Sequence, residues 1–307
     1  MNRRFLSITA EKTTFSVTEA HIHSHVLDIV ASTDISFPPI SENIYASLES
    51  AVSDIISKSP HFRFSKPFVY LTIDNSFALQ RNFSLPRASD REIHKMLLHQ
   101  MDEHAAVDSH YFSSVRQSEK NGLIEFSVAA LPRLMCSNYY RAISRSKSKP
   151  IAMEIKMNVL SKLFSAPVNI NGLNINNDKK TIIIEADKSA TIVYMLEHGQ
   201  IVFCHSSWVN ISRLSSEIDL DQNSLVWANS ILQILRYVEE IELNNTLDRV
   251  LVYGECADNE NALRVLSSII GLPVKRITEI EGVRMINGNQ IHRLFIAVAA
   301  LLGNNPL

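Results

Sequence analysis

Glycine is scarce in this sequence. The 307-residue chain has 8, where ordinary usage would give about 21, and the two nearest one another are Gly282 and Gly288. A loop that cradles phosphate with backbone N–H groups needs glycines within a few residues of each other, so the chain has no such loop of the usual kind. Cysteine is thin too. Cys136, Cys204 and Cys256 are far apart and odd in number, which offers no disulfide framework and fits a reducing cytoplasm. Neither sign of charge dominates: 30 Lys and Arg stand against 32 Asp and Glu, a formal net charge of -2 with an isoelectric point near 6.6. No global field therefore recruits nucleic acid or an anionic membrane. The longest apolar run, Leu294 to Leu302, is about half of the ~20 residues that a membrane-spanning helix needs. No long apolar stretch follows Arg3-Arg4, so no secretory leader is expected, and any link to a membrane must come through a partner.

The chain is 46% hydrophobic and 20% charged, the balance of a folded protein rather than a disordered one. Its length suits two lobes. The stretch Thr181 to His205, TIIIEADKSATIVYMLEHGQIVFCH, reads as three strands, Ile182 to Glu185, Thr191 to Leu196 and Ile201 to Cys204, with His198-Gly199 as a two-residue turn. Phe5 to Ser32 repeats this order, and Ala10-Glu11-Lys12 falls where Ala186-Asp187-Lys188 falls. Two related lobes, each opened by an antiparallel meander, are expected.

Between the meanders, Pro38-Pro39 is a break and Ser41 an N-cap for a helix burying Ile44, Leu48, Val52, Ile55 and Ile56. Phe68 to Ile73 and Phe77 to Leu85 read as strands. Ser89-Asp90-Arg91-Glu92 is a capping box ahead of a helix with Ile93, Met96, Leu97 and Met101 on one face. Tyr111 to Ser118 and Leu123 to Ala130 form paired strands, and Pro132 starts a helix at its N1 position. Ile151 to Ile155 is a strand, Asn158 to Phe164 a helix, and Asn169 to Asp178 a polar linker. After the second meander, the helix Leu225 to Ile241, the strand Arg249 to Tyr253, the helix Glu260 to Ile270, the strand Pro273 to Ile277 and the helix His292 to Leu302 predict parallel pairs flanked by helices.

Several segments carry a family likeness. FALQRNFSLPRASDREIHKMLLHQMDEH, FSVAALPRLMCSNYYRAISRSKSKPIAMEIKMNVLSKLF, ILQILRYVEEI with LDRVLVYGE, and IHRLFIAVAALLG resemble, in this order, segments of the actin-like PilM proteins of type IV pilus assembly and of the cytoplasmic part of GspL in type II secretion. The resemblance implies an α/β fold, actin-like (ribonuclease H-like) and two-lobed, with a small inserted α+β module in lobe one. Lobe one would cover 1–165, with the module at about 66–131 and a C-terminal helix, 291–303, packing back on it; lobe two would cover 166–290.

It also implies a nucleotide pocket, and here the sequence departs from ATP-binding relatives. Those have an aspartate and a glycine in each phosphate loop, the first to hold Mg²⁺ through water and the second to admit phosphate to the backbone. Thr9 and Glu11 stand in the first loop, Glu185 and Asp187 in the second, and a single glycine, Gly254, stands where the adenosine side has a pair. Two carboxylates facing phosphate would repel it by roughly 4 kcal/mol per pair at ~4 Å and an effective ε of 20. The expectation is a vestigial pocket with weak or absent nucleotide binding and no hydrolysis, ATP and Mg²⁺ not being expected, in a non-enzymatic cytoplasmic scaffold held at the inner membrane through its partners. The implied partners are a PilN-like inner-membrane protein and the assembly ATPase, not nucleic acid. A PilN-type cytoplasmic segment would lie along the module from Phe68 to Ala130, with Phe77, Arg81, Phe83 and Leu97 as contact candidates. The alternative is an actin-like ATPase with atypical phosphate loops.

Other constellations read as ordinary surface. Glu11 and Asp187 in matched turns are a paired-carboxylate candidate, but acids in turns are common. His21, His23 and His25 alternate along a strand as zinc-binding pairs do, yet no further ligand is evident and no metal is expected. His94, His99 and His104 lie about 140° apart on one helix and cannot converge. His205-Ser206-Ser207 lacks the sharp turn that exposes a nucleophile. Arg141, Arg145, Lys147 and Lys149 near Tyr139 and Tyr140 read as a solvated helix end rather than a grip for RNA.

Overall fold

Alternation of residue types builds Arg3–Ala10 (β1), Thr14–His23 (β2) and Val26–Ser36 (β3) into the expected antiparallel meander. Its second turn needs two left-handed residues, which Ser24 (φ 47°) and His25 (φ 64°) supply. The computed structural model describes residues 3–37, 44–62, 65–120, 122–176, 180–187, 190–207, 209, 220–241, 247–286, 288 and 290–304. The break at Pro38-Pro39 and the Ser41 cap lie outside the described residues. The chain divides into two units: Met1–Leu163 with Gly282–Asn289 and Ile296–Leu307, and Phe164–Glu281 with Gln290–Phe295.

In the first unit, helix α1 (Ile44–Lys58) buries Leu48 and Val52 and leads to β4 (Phe68–Ile73), which pairs in parallel with β1. The inserted module therefore begins later than residue 66. Phe68–Ile73 is a strand of the main sheet, as its fully apolar core face requires. The module proper is β5 (Leu79–Pro86), α2 (Asp90–Asp102), β6 (His110–Lys120) and β7 (Leu123–Pro132), a three-stranded sheet in the order β5-β7-β6. Its core joins Ile93, Leu97 and Met101 of α2 to Leu85, Ile124, Phe126 and Val128. The Glu92 carboxylate accepts from the backbone N–H (3.0 Å) and hydroxyl (2.6 Å) of Ser89, which fixes the start of α2.

Helix α3 (Arg133–Arg145) follows β7 directly. Pro132 is its N-cap rather than its first helical residue, because it still ends β7, paired with His110. Next come β8 (Lys149–Ile155), parallel to β4, and α4 (Lys156–Ser165).

In the second unit, the stretch expected as a plain linker contains a hairpin, β9 (Asn169–Ile170) and β10 (Leu173–Asn174). Asn171 (φ 52°) and Gly172 (φ 71°) turn it, a tight-turn signal carried by the pair Asn-Gly. The second meander is β11 (Thr181–Ala186), β12 (Thr191–Glu197) and β13 (Gln200–Ser207). Helix α5 (Leu220–Ile241), β14 (Arg249–Tyr253), α6 (Glu260–Ile270) and β15 (Val274–Arg276) complete it. One sheet face, with Ile182, Ile184, Val193 and Val252, packs on Trp227, Ile231, Leu263 and Leu266 of the two helices. The Trp227 indole N–H donates to Thr191 Oγ1 (2.9 Å), so its polar edge is satisfied inside the core.

A three-residue strand, β16 (Val283–Met285), then pairs in parallel with β3 in the first unit. It is too short to show in the sequence pattern. Ile291–Arg293 is a single 3₁₀ turn in the second unit, where Asp258 holds His292 and Arg293, and the last helix, α7, spans Phe295–Asn304. Strand orders β3-β2-β1-β4-β8 and β13-β12-β11-β14-β15 are the same in the two units. Each sheet is an antiparallel meander extended by two strands parallel to its first.

Candidate functional site

In the first unit, the turn after β1 carries Glu11, whose backbone N–H closes it on Thr14 O (2.9 Å). Thr9 is not in the turn but buried within β1, flanked by Ser16 and Thr72. Beneath the turn lies Lys156, the first residue of α4, at 2% exposure. Its ammonium lies 3.6 Å from Glu11 Oε1 and 3.4 Å from Asp74 Oδ2. Burial raises the Asp74 carboxyl, but Lys156 together with hydrogen bonds from Ser76 outweighs it and holds Asp74 below its ordinary value. Asn75, the next residue, accepts the Met157 N–H (2.9 Å) and so seats the N-terminus of α4. This lysine is the residue that sequence reasoning missed. Its signal was faint: one cation at the junction of an apolar strand and an apolar helix, AMEIKMNVL.

In the second unit, Glu185 is 2% exposed inside β11. Its Oε2 accepts the hydroxyls of Tyr253 (2.6 Å) and Tyr194 (3.0 Å) from the two neighbouring strands. Both phenols are pushed well above their ordinary range, first by burial and then by the Glu185 charge. Tyr253 also packs on Phe295 at 4.6 Å between ring centroids. Asp187, in the turn after β11, accepts the Glu255 N–H at Oδ1 (3.2 Å), and the same oxygen crowds Gly254. Both acids are thus engaged by groups of their own unit. A buried carboxylate held by two hydroxyls is a structural bridge, not an exposed base.

The four module residues expected to meet a partner are not all on the surface. Leu97 lies in the module core at 4% exposure, and Phe83 packs against that core from the edge strand β5. Arg81 is exposed and its guanidinium donates to the neighbouring Gln80 O (2.8 Å); Phe77 is half-buried in a 3₁₀ turn.

A different surface of the first unit is concave. A groove of about 480 Å³ is lined by Tyr111, Phe112, Leu131, Cys136, Tyr140 and Met153, among others. Three elements frame it: β6, an edge of the module sheet; β8, an edge of the main sheet; and α3. On its lining Tyr111 is 50% exposed and Tyr140 57%, and on the framing elements Ile151 of β8 is 52% and Leu134 of α3 73% exposed. Helix α3 buries Cys136, Tyr139, Ala142 and Ile143 at helical spacing, which leaves Leu134 and Tyr140 off its core face. Arg141 lies on the lining, and the Arg133 guanidinium sits 5.0 Å over the Tyr111 ring.

Among the strand histidines, His21 meets Glu19 and His61, whereas His23 pairs with Asp28 (3.2 Å) and His25 occupies the turn. No helix of the described residues is long and apolar enough to cross a membrane.

No family model matches the sequence. No curated protein matches it either. Solved structures do match in shape. A chain of a PilM–PilN type IV pilus biogenesis complex is 13% identical and superposes with a TM-score of 0.70 over 98% of this chain and 99% of that one. A Bacteroides thetaiotaomicron protein of unknown function with an actin-like ATPase fold is 15% identical, TM-score 0.52, over 97% and 95%. The ethanolamine utilization protein EutJ of Carboxydothermus hydrogenoformans is 9% identical, TM-score 0.51, over 97% and 88%. The fold is that of the actin-like ATPases, as the resemblance implied.

Proposed function

We propose that this chain is a non-catalytic scaffold of a type IV pilus or related secretion assembly platform, and that its first unit takes the cytoplasmic segment of a PilN-like membrane protein. The observation that carries the reading is the groove between β6 and β8. Two edge strands flank a slot whose walls are aromatic and aliphatic, which suits an extended peptide docking by strand addition with its side chains in the slot. Pro150 in β8 is compatible with an edge strand and would limit addition there, so β6 is the favoured template. Arg141 lies on the lining and Arg133 over Tyr111, so a segment with acidic residues beside its apolar ones is the best electrostatic match. Contact with the assembly ATPase belongs to the same reading.

The two phosphate-loop turns support the non-catalytic half. In the first unit a buried ammonium stands beside the acids of the turn, Glu11 and Asp74. In the second the acids are bonded to tyrosines and to the Glu255 N–H. Calorimetry with Mg-ATP is expected to give no affinity tighter than millimolar, and micromolar binding with turnover would replace the scaffold by an ATPase. Glu185→Ala is a poor probe of that question, because it strips two buried tyrosines of their shared partner.

A peptide with the sequence of a PilN-type cytoplasmic segment tests the groove. Tyr140→Ala and Ile151→Asp are each expected to weaken its binding about tenfold or more, the loss typical of a buried aromatic or aliphatic anchor. Arg81→Ala and Phe77→Ala should leave it unchanged. The opposite pattern would move the docking surface to β5, and a peptide that never binds would remove the partner.

A further inference from the structure

We propose that Glu19, His21 and His61 bind a divalent transition metal, with zinc as the ion their chemistry selects. The site lies wholly in the first unit, and it goes beyond the scaffold reading. Glu19 and His21 are two apart on β2, so both side chains leave the same face of the strand. The register between β2 and β3 shifts at this point with the extra residue on β3, between Ile29 and Ala31, so β2 keeps its own alternation through Glu19 and His21. His61 arrives from the one-turn 3₁₀ helix Pro60–Phe62 just beyond α1.

One donor atom from each of the three residues lies within 4.8 Å of the others. Glu19 Oε1 and His21 Nε2 are 3.4 Å apart, which is about the ligand-to-ligand distance around a tetrahedral ion with bonds near 2.1 Å. The two imidazoles meet edge to face, with centroids 4.5 Å apart and planes at 74°. A modest movement of the His61 side chain would complete the coordination sphere.

Two further observations point to a ligand. His21 Nε2 is buried without a hydrogen-bond partner among the described residues, and a buried ring nitrogen is ordinarily satisfied. Glu19 is 5% exposed, a depth at which a carboxylate is normally paired or metal-bound. Its support is already built: the Ser59 hydroxyl donates to Glu19 Oε1 (2.9 Å) while its oxygen accepts the His61 backbone N–H (3.2 Å). One serine thus orients the carboxylate and the segment that carries the second imidazole, as outer partners of metal ligands do. A Glu19–His21 ion pair alone would make no use of His61.

Two imidazoles and one carboxylate suit zinc and its neighbours, whereas calcium and magnesium ask for oxygen ligands throughout. Three protein ligands leave a fourth position for water. Bound there, the ion would staple the segment after α1 to the middle strand of the meander.

The test uses the full chain, stripped with a chelator and titrated with Zn²⁺ against a chromophoric competitor, with Co²⁺ as the spectroscopic probe. One equivalent should bind at micromolar affinity or tighter, Co²⁺ should show the visible bands of tetrahedral coordination, and zinc should raise the melting temperature. His61→Ala and His21→Ala should each weaken binding at least tenfold while keeping the far-ultraviolet dichroism of the parent. His23→Ala, whose ring pairs with Asp28, should bind as the parent does. Failure of the parent chain to bind one equivalent, or undiminished affinity in both the His21 and His61 variants, would overturn the site.

Discussion

Lys156→Ala is expected to destabilise the chain by about 3 to 5 kcal/mol at pH 7, the range seen when one partner of a buried ion pair is removed. The ammonium is 2% exposed and stands between Glu11 and Asp74, at 3.6 and 3.4 Å. Without it, Asp74 keeps its burial and loses the cation that compensates. The cost comes from the stranded acid more than from the lost attraction, since burying the lysine was itself expensive. Lys156→Met combined with Asp74→Asn should therefore recover a large part of the loss, because the two changes remove charge from both sides.

The dependence on pH gives the assignment its signature. In the parent chain Asp74 is held below its ordinary value. Its contribution is present above the unfolded carboxylate value of about 4 and is lost as pH falls through the lower, folded one. In Lys156→Ala the largest remaining influence on Asp74 is burial, which raises it. Folded Asp74 then holds a proton more readily in the variant than in the parent, so the deficit should be greatest at pH 7 and shrink as pH falls toward 4. Urea unfolding of the parent and the variant at pH 7, 5.5 and 4 measures this. A deficit below about 1 kcal/mol at pH 7, the size of an exposed pair, or one that grows on acidification, would mean that Lys156 is not what holds Asp74.

What could be read from the sequence was what is local or periodic. The capping box at Ser89 and Glu92 was legible because both partners lie within one helical turn. The two meanders were legible because their turns sit between short runs of alternating residues, and the bounds of Arg249–Tyr253 and Glu260–Ile270 agree with the pattern residue for residue. Long-range partnerships left no such trace. Nothing near Lys156 in the chain names Glu11 or Asp74, and nothing near His21 names His61.

The strand histidines drew attention as an alternating set. The structure divides them instead, because β3 presents Asp28 opposite His21 and next to His23, with Arg284 held at 2.7 Å on the same acid. Apolar residues misled in the other direction. Leu97 has the spacing of a core residue and is one, while Leu134 and Tyr140 on α3 look alike in the sequence but face outward. Hydrophobicity marks what can be buried. Only the packing of α3 against its own unit decides which residues are left for a partner.

Gly254→Ala is the second substitution with a large expected effect, about 3 kcal/mol or more. Its backbone stands at φ 102° and ψ 171°, a region that is essentially closed to residues with a Cβ and costs about 1–3 kcal/mol when forced. Space is lacking as well: a Cβ there would lie 2.5 Å from Asp187 Oδ1 and 2.6 Å from Ala186 O. Asp187 could swing away, at the cost of its bond to the Glu255 N–H, but Ala186 O is backbone of β11 and has nowhere to go. Overpacking of this kind adds about 1–3 kcal/mol. Gly254 is held in this position by its own N–H, which donates to His292 O at 2.9 Å in the neighbouring 3₁₀ turn. Gly254→Ala with Asp187→Gly separates the two causes. Removing the carboxylate should restore only a minor part of the stability if backbone strain and Ala186 dominate, and thermal unfolding of the single and double variants reads the difference. A single variant within about 0.5 kcal/mol of the parent, the usual range for changes at a tolerant surface position, would show that the close approach of Gly254 to β11 does not constrain this turn.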